Sequence, residues 1–301
     1  MRVFKGNGGI NRTVAISPDS RYLASGSIWE LSNPTAPLVD SWATGYVHKF
    51  EFISPTQIFA EGVSPWKWWR YDIATGETVE LDPRAGQIAR SAAVHPSREL
   101  LRGTVTTYGG GDGVDPDLPC DCCFVYRFTP SGLEATGQST LPAELIAYHP
   151  QGIGYLVRDS TNTYSMFDAE TEEELAIFAG PKDHHFNSFP PVFSPDGSRL
   201  YLQHRWGIEA FDGAKGGLPL ATLGKQKLCK SRTMAMHPGG RMLASTDGSS
   251  TITFHDPQTL HTVRTYDFKM GVAHCVAFTP DGIGCIVGYA RGKILLFDLD
   301  D

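Results

Sequence analysis

Seven prolines stand at nearly regular intervals along the chain: Pro18, Pro55, Pro96, Pro150, Pro195, Pro238 and Pro280. They are separated by 37, 41, 54, 45, 43 and 42 residues. Each follows Ser, His or Thr, and each is preceded by a short apolar run. Those runs are Val14-Ala-Ile16, Phe50-Glu-Phe52, Ala92-Ala-Val94, Leu145-Ile-Ala-Tyr148, Val192-Phe193, Met234-Ala-Met236 and Val276-Ala-Phe278. Proline pre-sets φ for a turn and a following Gly relieves a later position, so Pro-Asp-Gly or Pro-Gly-Gly after an apolar run reads as a tight hairpin.

A second mark keeps step with the first. An aromatic residue or His followed by an acid occurs as Trp29-Glu30, Tyr71-Asp72, Phe167-Asp168, Phe211-Asp212, His255-Asp256 and Phe297-Asp298, with Tyr126-Arg127 in the third copy. In five copies it falls 16 or 17 residues after the proline. A period near 42 residues with several short strands per copy is the signature of a radial β-repeat. The 32 Gly and 20 Pro agree with a turn-rich, all-β chain.

Stretches such as Phe193-Ser-Pro-Asp-Gly-Ser-Arg-Leu200 and Leu243-Ala-Ser-Thr-Asp-Gly-Ser-Ser-Thr-Ile-Thr-Phe-His-Asp256 resemble the WD40 repeat. The resemblance runs over the whole chain, in a degenerate, bacterial-like form. It implies one domain over 1–301: an all-β, seven-bladed β-propeller with four antiparallel strands per blade. In the family the outermost strand of the last blade comes from the N-terminus. Arg2-Val-Phe4 suits that role, so residues 1–6 are expected to complete the blade that begins near Val272. The resemblance has gaps. No Gly-His dipeptide precedes a first strand and only Trp29 keeps the tryptophan. The buried Asp–His–Ser set of the family is therefore not assigned, and blades are expected to cohere mainly by apolar packing. In Trp68-Trp69-Arg70-Tyr71, strand alternation places Trp68 on one face and Trp69 with Tyr71 on the other.

Function is sought where the repeat is broken, in the connections between second and third strands and between blades. The longest break is Tyr108–Cys123 in the third copy, with Asp112, Asp115 and Asp117 and the cluster Cys120, Cys122 and Cys123. A mobile acidic insertion, a partner-binding loop and a metal site are the competing readings. The cysteines lack the second ligand pair of a structural zinc site, and the acids lack the closing Glu of a calcium loop. Trp66 stands in a turn, where an aromatic anchor for a partner would sit. A basic and aromatic belt follows in copies 5 to 7: His184, His185, His204, Arg205, Trp206, Lys230, Arg232 and Arg291, with Arg90 just ahead of the third copy's first strand. Set opposite the acidic insertion, this belt would orient an acidic ligand.

The remaining readings are exclusions. A net charge of −7 disfavours nucleic acid. No apolar run is long enough to span a membrane and none resembles a signal peptide, so a cytoplasmic protein is expected. Cys275 and Cys285 lie in strand patterns and read as buried free thiols. No nucleophile elbow, zincin helix or Walker loop occurs. The expectation is a non-catalytic scaffold without cofactor that binds another protein or peptide, as a subunit of a larger complex. The alternative is a lactonase-like hydrolase with a metal at the channel mouth, which would require inward acids from several blades.

Overall fold

A computed structural model describes residues 1–6, 13–40, 46–64, 67–81, 87–107, 121–139, 145–159, 163–179, 190–204, 207–223 and 233–299. Nearly all regular structure among them is β-strand; the exception is one 3-10 turn, Ala290–Gly292. No helix is long and apolar enough to cross a membrane. The strands form five four-stranded sheets and one eight-stranded sheet. The larger sheet is two antiparallel four-strand runs joined by a single parallel bridge, Phe178 to Gly217. Each four-strand run is called a unit below. Units 1 to 6 occupy 15–40, 46–81, 87–139, 145–178, 192–223 and 233–267.

Unit 7 takes its first three strands from Ala273–Phe278, Gly284–Tyr289 and Lys293–Asp298, and its fourth from Arg2–Lys5. The terminal strand pairs antiparallel with Lys293–Asp298 in the register Arg2 to Leu296 and Phe4 to Ile294. Phe4 is wholly buried and meets Trp29 edge-on at 6.0 Å.

The turn chemistry read from the prolines is present in detail. Ser17, Ser194 and Thr279 accept backbone N–H groups from residues four or five positions on, which closes each hairpin between first and second strands. The Asp of the third-strand mark does the same one turn later. Asp72, Asp168, Asp212 and Asp256 each accept the N–H groups of the residues two and three ahead. An aspartate fits because a short carboxylate reaches its own turn, which the aromatic before it cannot. The aromatic instead turns into the core.

Packing occurs between units, face to face. Each of the seven seams holds an apolar cluster, and both faces of a sheet are used. Trp68 joins the cluster toward unit 3, while Trp69 and Tyr71 join the one toward unit 1, as alternation requires. Phe4, Ile286 and Ile294 of unit 7 cluster with Leu23 and Trp29 of unit 1. First strands also lie against each other, including those of units 7 and 1. Gly103 makes room for Trp68, since a Cβ there would sit 2.1 Å from the indole. Cys123, Cys275 and Cys285 are buried free thiols, and burial pushes Cys275 up to about 12.

Apolar packing is the expected main tie between units, and polar contacts add to it. Charged and imidazole side chains also donate across the seams to main-chain carbonyls. Arg70 reaches Thr129 and Pro130, Arg98 reaches Phe52 at 2.8 Å, and Arg2 reaches Leu31 at 2.6 Å. Among the described residues the seam between units 3 and 4 has the smallest apolar cluster. There Arg102 lies 3.7 Å from the Tyr155 ring and pairs with Glu172 at 2.9 Å. Turn carbonyls at a unit's end have no ladder partner, so a long cationic side chain from next door both satisfies them and bridges the seam.

Three seams carry a similar device. His95, His149 and His237 each precede the repeat proline. Their Nδ1 accepts an N–H of their own turn, from Ser97 at 3.1 Å, Gln151 at 3.3 Å and Gly239 at 2.9 Å. In His95 and His149 that leaves Nε2 to carry the proton and donate to the next unit's turn glycine, Gly152 at 3.4 Å and Gly197 at 3.3 Å. His237 Nε2 also lies 2.9 Å from the Gly282 carbonyl, but there Nε2 receives the Arg241 Nε–H at 2.9 Å and Arg241 donates to the carbonyl at 3.1 Å. Each ring also meets the next unit's aromatic, Tyr148, Phe193 or Phe278, near edge-on. The receiving glycines have φ of +72° to +74°, and a Cβ on any of them would fall within 2.6 Å of the imidazole Nε2. Glycine is needed there on both counts.

Candidate functional site

The units have two unlike ends. At one lie the hairpins between first and second strands and between third and fourth. These are the short, side-chain-tied turns described above. At the other lie the connections between second and third strands and from one unit to the next. The residues singled out from the sequence fall mostly in those connections.

Trp66, Asp112, Asp115, Asp117, Cys120, His184, His185, Arg205, Trp206, Lys230 and Arg232 lie outside the described residues. Arg90, His204 and Cys122 sit on described backbone, and there the sequence boundaries need correcting. Arg90 lies inside the strand Gln87–Val94 rather than ahead of it, within a register shift between Ala89 and Ala92. His204 ends the strand Arg199–His204 opposite Gly207 rather than standing in a loop. The strand Asp121–Thr129 begins early enough to include Cys122 and Cys123. Cys123 pairs with Thr104 across the ladder and its thiol packs with Tyr155 and Val157. Its direction is set by strand alternation, which sequence could not phase without knowing where the strand starts.

Arg291 is the one belt residue whose side chain is described. It is exposed, at the connection between the second and third strands of unit 7, with φ +63° and ψ 35°. A non-glycine residue in this conformation is uncommon and marks a tight, fixed turn. Gly292 follows at φ +71°, and the Gly6 N–H reaches the Gly292 carbonyl at 2.9 Å. The terminal strand thus fixes the turn that presents Arg291.

A set of residues not read from the sequence underlies this end. The last residue of each first strand pairs with Leu23, Ile58, Leu101, Tyr155, Leu200, Leu243 or Cys285. Three positions further along the second strand stand Gly26, Glu61, Thr104, Arg158, Gln203, Thr246 and Gly288. The five that carry side chains are polar, and all five are buried. Buried polar groups persist where they are hydrogen-bonded. In unit 3 the reason is visible. The bulge before Ala92 turns backbone groups away from their own ladder. Glu61 accepts the Ala92 N–H at 3.1 Å, Lys49 donates to the Ala92 carbonyl at 2.7 Å, and Thr104 bonds both backbone groups of Ser91. These side chains hold the strand that follows a unit-to-unit connection. Sequence phase could have found Thr104, Arg158, Gln203 and Thr246, each eight residues after a repeat proline; Glu61 stands six after Pro55 and is out of that phase.

In unit 6 the second strand contributes Ser245, bonded at 2.9 Å to His255 on the third strand. This is a buried Ser–His pair joining the second and third strands of one unit. Burial holds the His255 imidazole neutral and lowers it to about 4. Among the described residues no three His, Cys, Asp or Glu side chains are placed to hold a metal. Lys49 and Glu51 form a half-exposed ion pair at 3.5 Å. The geometry is that of a rigid frame presenting loops.

A family model described as WD domain, G-beta repeat matches residues 1–29. The matched stretch runs from the strand completing unit 7 through three strands of unit 1 to Trp29. The sequence repeat is therefore offset by one strand from the folded unit, and over these residues the chain is similar to a WD repeat. No curated protein matches the chain.

Proposed function

We propose that the chain is a closed seven-bladed propeller, one domain over 1–301, acting as a non-catalytic protein-interaction module. Its partner docks on the face built from the second-to-third-strand and unit-to-unit connections. The observation that carries this reading is the unlikeness of the two ends. One is spent on short turns tied across the seams. The other has a buried polar position in five of seven units, of which Glu61 and Thr104 hold the strand entering unit 3, and in sequence its connections carry Trp66, His184, His185, Arg205, Trp206, Lys230 and Arg232. Closure is supported by the terminal strand in unit 7 and the apolar cluster joining units 7 and 1. WD repeats serve protein–protein contact in general, and the match at 1–29 supports the same for this chain.

The basic belt of units 5 to 7 suits an acidic protein or peptide, with Asp112, Asp115 and Asp117 fixing its orientation by repulsion. Under this reading the protein is cytoplasmic, works as a subunit of a larger assembly, and contacts neither nucleic acid nor membrane. The test is capture from source lysate followed by affinity measurement. Trp66→Ala and Arg205→Glu are each expected to weaken a recovered partner at least about tenfold, as for interface anchors. Arg21→Glu, among the turns of the opposite end, is expected to leave it unchanged. Partners that stay bound to both loop variants would refute the assignment.

A further inference from the structure

Where units 3, 4 and 6 carry a histidine before the repeat proline, unit 5 carries Ser194. Its hydroxyl turns back on its own hairpin, accepting the Arg199 N–H at 2.9 Å and donating to Asp196 at 2.6 Å. No imidazole then crosses to the turn glycine of unit 6; Tyr201 instead donates to the Pro257 carbonyl at 3.0 Å, and beside it the seam opens into a cavity of about 300 Å³. Its walls include Pro195 and Arg199 of unit 5 and Pro238, Gly240 and Gln258 of unit 6. The glycines measure the difference. A Cβ on Gly152, Gly197 or Gly282 would meet imidazole Nε2 at 2.5, 1.8 or 2.6 Å. On Gly240, at the same turn position with φ +69°, the nearest atom is Pro195 Cδ at 3.6 Å. Among the described residues no side chain donates to the Gly240 carbonyl, the counterpart of the Gly152 and Gly197 carbonyls that histidines satisfy and of the Gly282 carbonyl that receives Arg241.

We propose that this notch receives the histidine side chain of a partner protein, inserted where units 3, 4 and 6 supply their own. Imidazole suits the walls because one nitrogen donates while the other accepts. The donor can face the Gly240 carbonyl or the Asp196 carboxylate. The acceptor can face the Arg199 guanidinium, whose one hydrogen bond among the described residues is a long 3.4 Å contact with the Gln258 carbonyl. Pro195 and Pro238 offer flat apolar flanks to the ring. A lysine would leave Arg199 facing a like charge, and an aliphatic side chain would leave the Gly240 carbonyl without a donor. The site is at the turn end, opposite the face proposed above, so the two surfaces are separable.

The probe is a capped peptide of this chain's own latch, residues 235–241, added to the full-length protein at neutral pH. Hydrogen exchange and a binding isotherm give the readout. Saturable binding with Kd on the order of 1 mM is expected, as for one anchoring side chain, with protection confined to the turns at 195–199 and 238–241. The peptide with His237 replaced by Ala should lose the effect. Ser194→His should fill the notch, abolish binding and raise Tm. Arg199→Met, which removes only the donor, should weaken binding at least tenfold and serves if Ser194→His fails to fold. The Trp66→Ala and Arg205→Glu variants should bind the peptide as wild type does. Absent or unsaturable binding, equal binding of the alanine peptide, equal binding by Ser194→His or Arg199→Met, or protection elsewhere would each overturn the proposal.

Discussion

Glu61 is a carboxylate buried inside a sheet, and it is tolerated there because the bulge of the next unit presents the Ala92 N–H to it. Removing it strands that donor beside the carbonyl that Lys49 holds. Glu61→Ala is expected to cost about 1–3 kcal/mol, the penalty for an unsatisfied buried group, and Glu61→Gln clearly less, read from urea midpoints. His255 makes a pH prediction. Its folded-state pKa lies near 4 against an ordinary 6.5, chiefly through burial. Between those values the unfolded chain binds a proton that the folded chain refuses. The contribution is therefore present above pH 6.5 and lost as pH falls toward 4, by up to about 3 kcal/mol. His149, lowered in the same direction and also chiefly by burial, adds to the slope. Stability measured from pH 7.5 down to 4.5 should fall, and His255→Gln should flatten the fall. A slope unchanged in the variant would show that other groups carry it. Of these residues, the sequence marked His255 for its place in the repeat, and Glu61 not at all. A single acid in a strand reads as surface until its partner in another unit is known.

At the scale of elements, the terminal strand and the histidine latches are the features to break. Phe4→Ala empties a wholly buried site against Trp29 and should cost about 3–5 kcal/mol. Deleting residues 1–6 should cost more and open Lys293–Asp298 to hydrogen exchange; unaltered thermal unfolding of the truncation would contradict its role. Gly197→Ala forces a Cβ to 1.8 Å from His149 Nε2 in a left-handed conformation. The backbone alone costs roughly 1–2 kcal/mol, and the collision adds to it. Pairing it with His149→Ser, the residue type of units 1, 2 and 5, should recover the collision part but not the backbone part. Additive losses in that double-mutant cycle would mean that ring and glycine do not meet. The strands, the hairpin turns and the recruitment of Arg2-Val-Phe4 were legible because turn chemistry is local and the repeat fixes its phase. The latches were not. The His-Pro pairs stood in plain view, but an imidazole that satisfies its own turn is indistinguishable in sequence from one that also reaches the next.

At the scale of the molecule, each unit packs on both neighbours, and the first and last share the cluster of Phe4, Trp29 and Ile286. The proposed closure leaves no terminal repeat to fray, so near-UV and far-UV signals should report one coincident unfolding transition, unlike the gradual loss of open repeat arrays. Two separated transitions would argue against closure. The interaction face was legible only as a set of charges and rings in the connections. The described frame adds how the strands beneath them are anchored, and it moves Arg90, His204 and Cys123 onto strands. By itself the sequence determined the number of hairpins, the place of each turn, the all-β class and the strand borrowed from the start of the chain. All of these follow from periodicity and from residues acting on their own neighbours. Only the tertiary structure decided which groups meet across the seams: Arg102 over Tyr155, Glu61 at Ala92, three histidines on three glycines, and a cavity where Ser194 replaces a fourth. Those contacts join residues some 30 to 70 positions apart in sequence, and which of them form depends on how one sheet lies on the next.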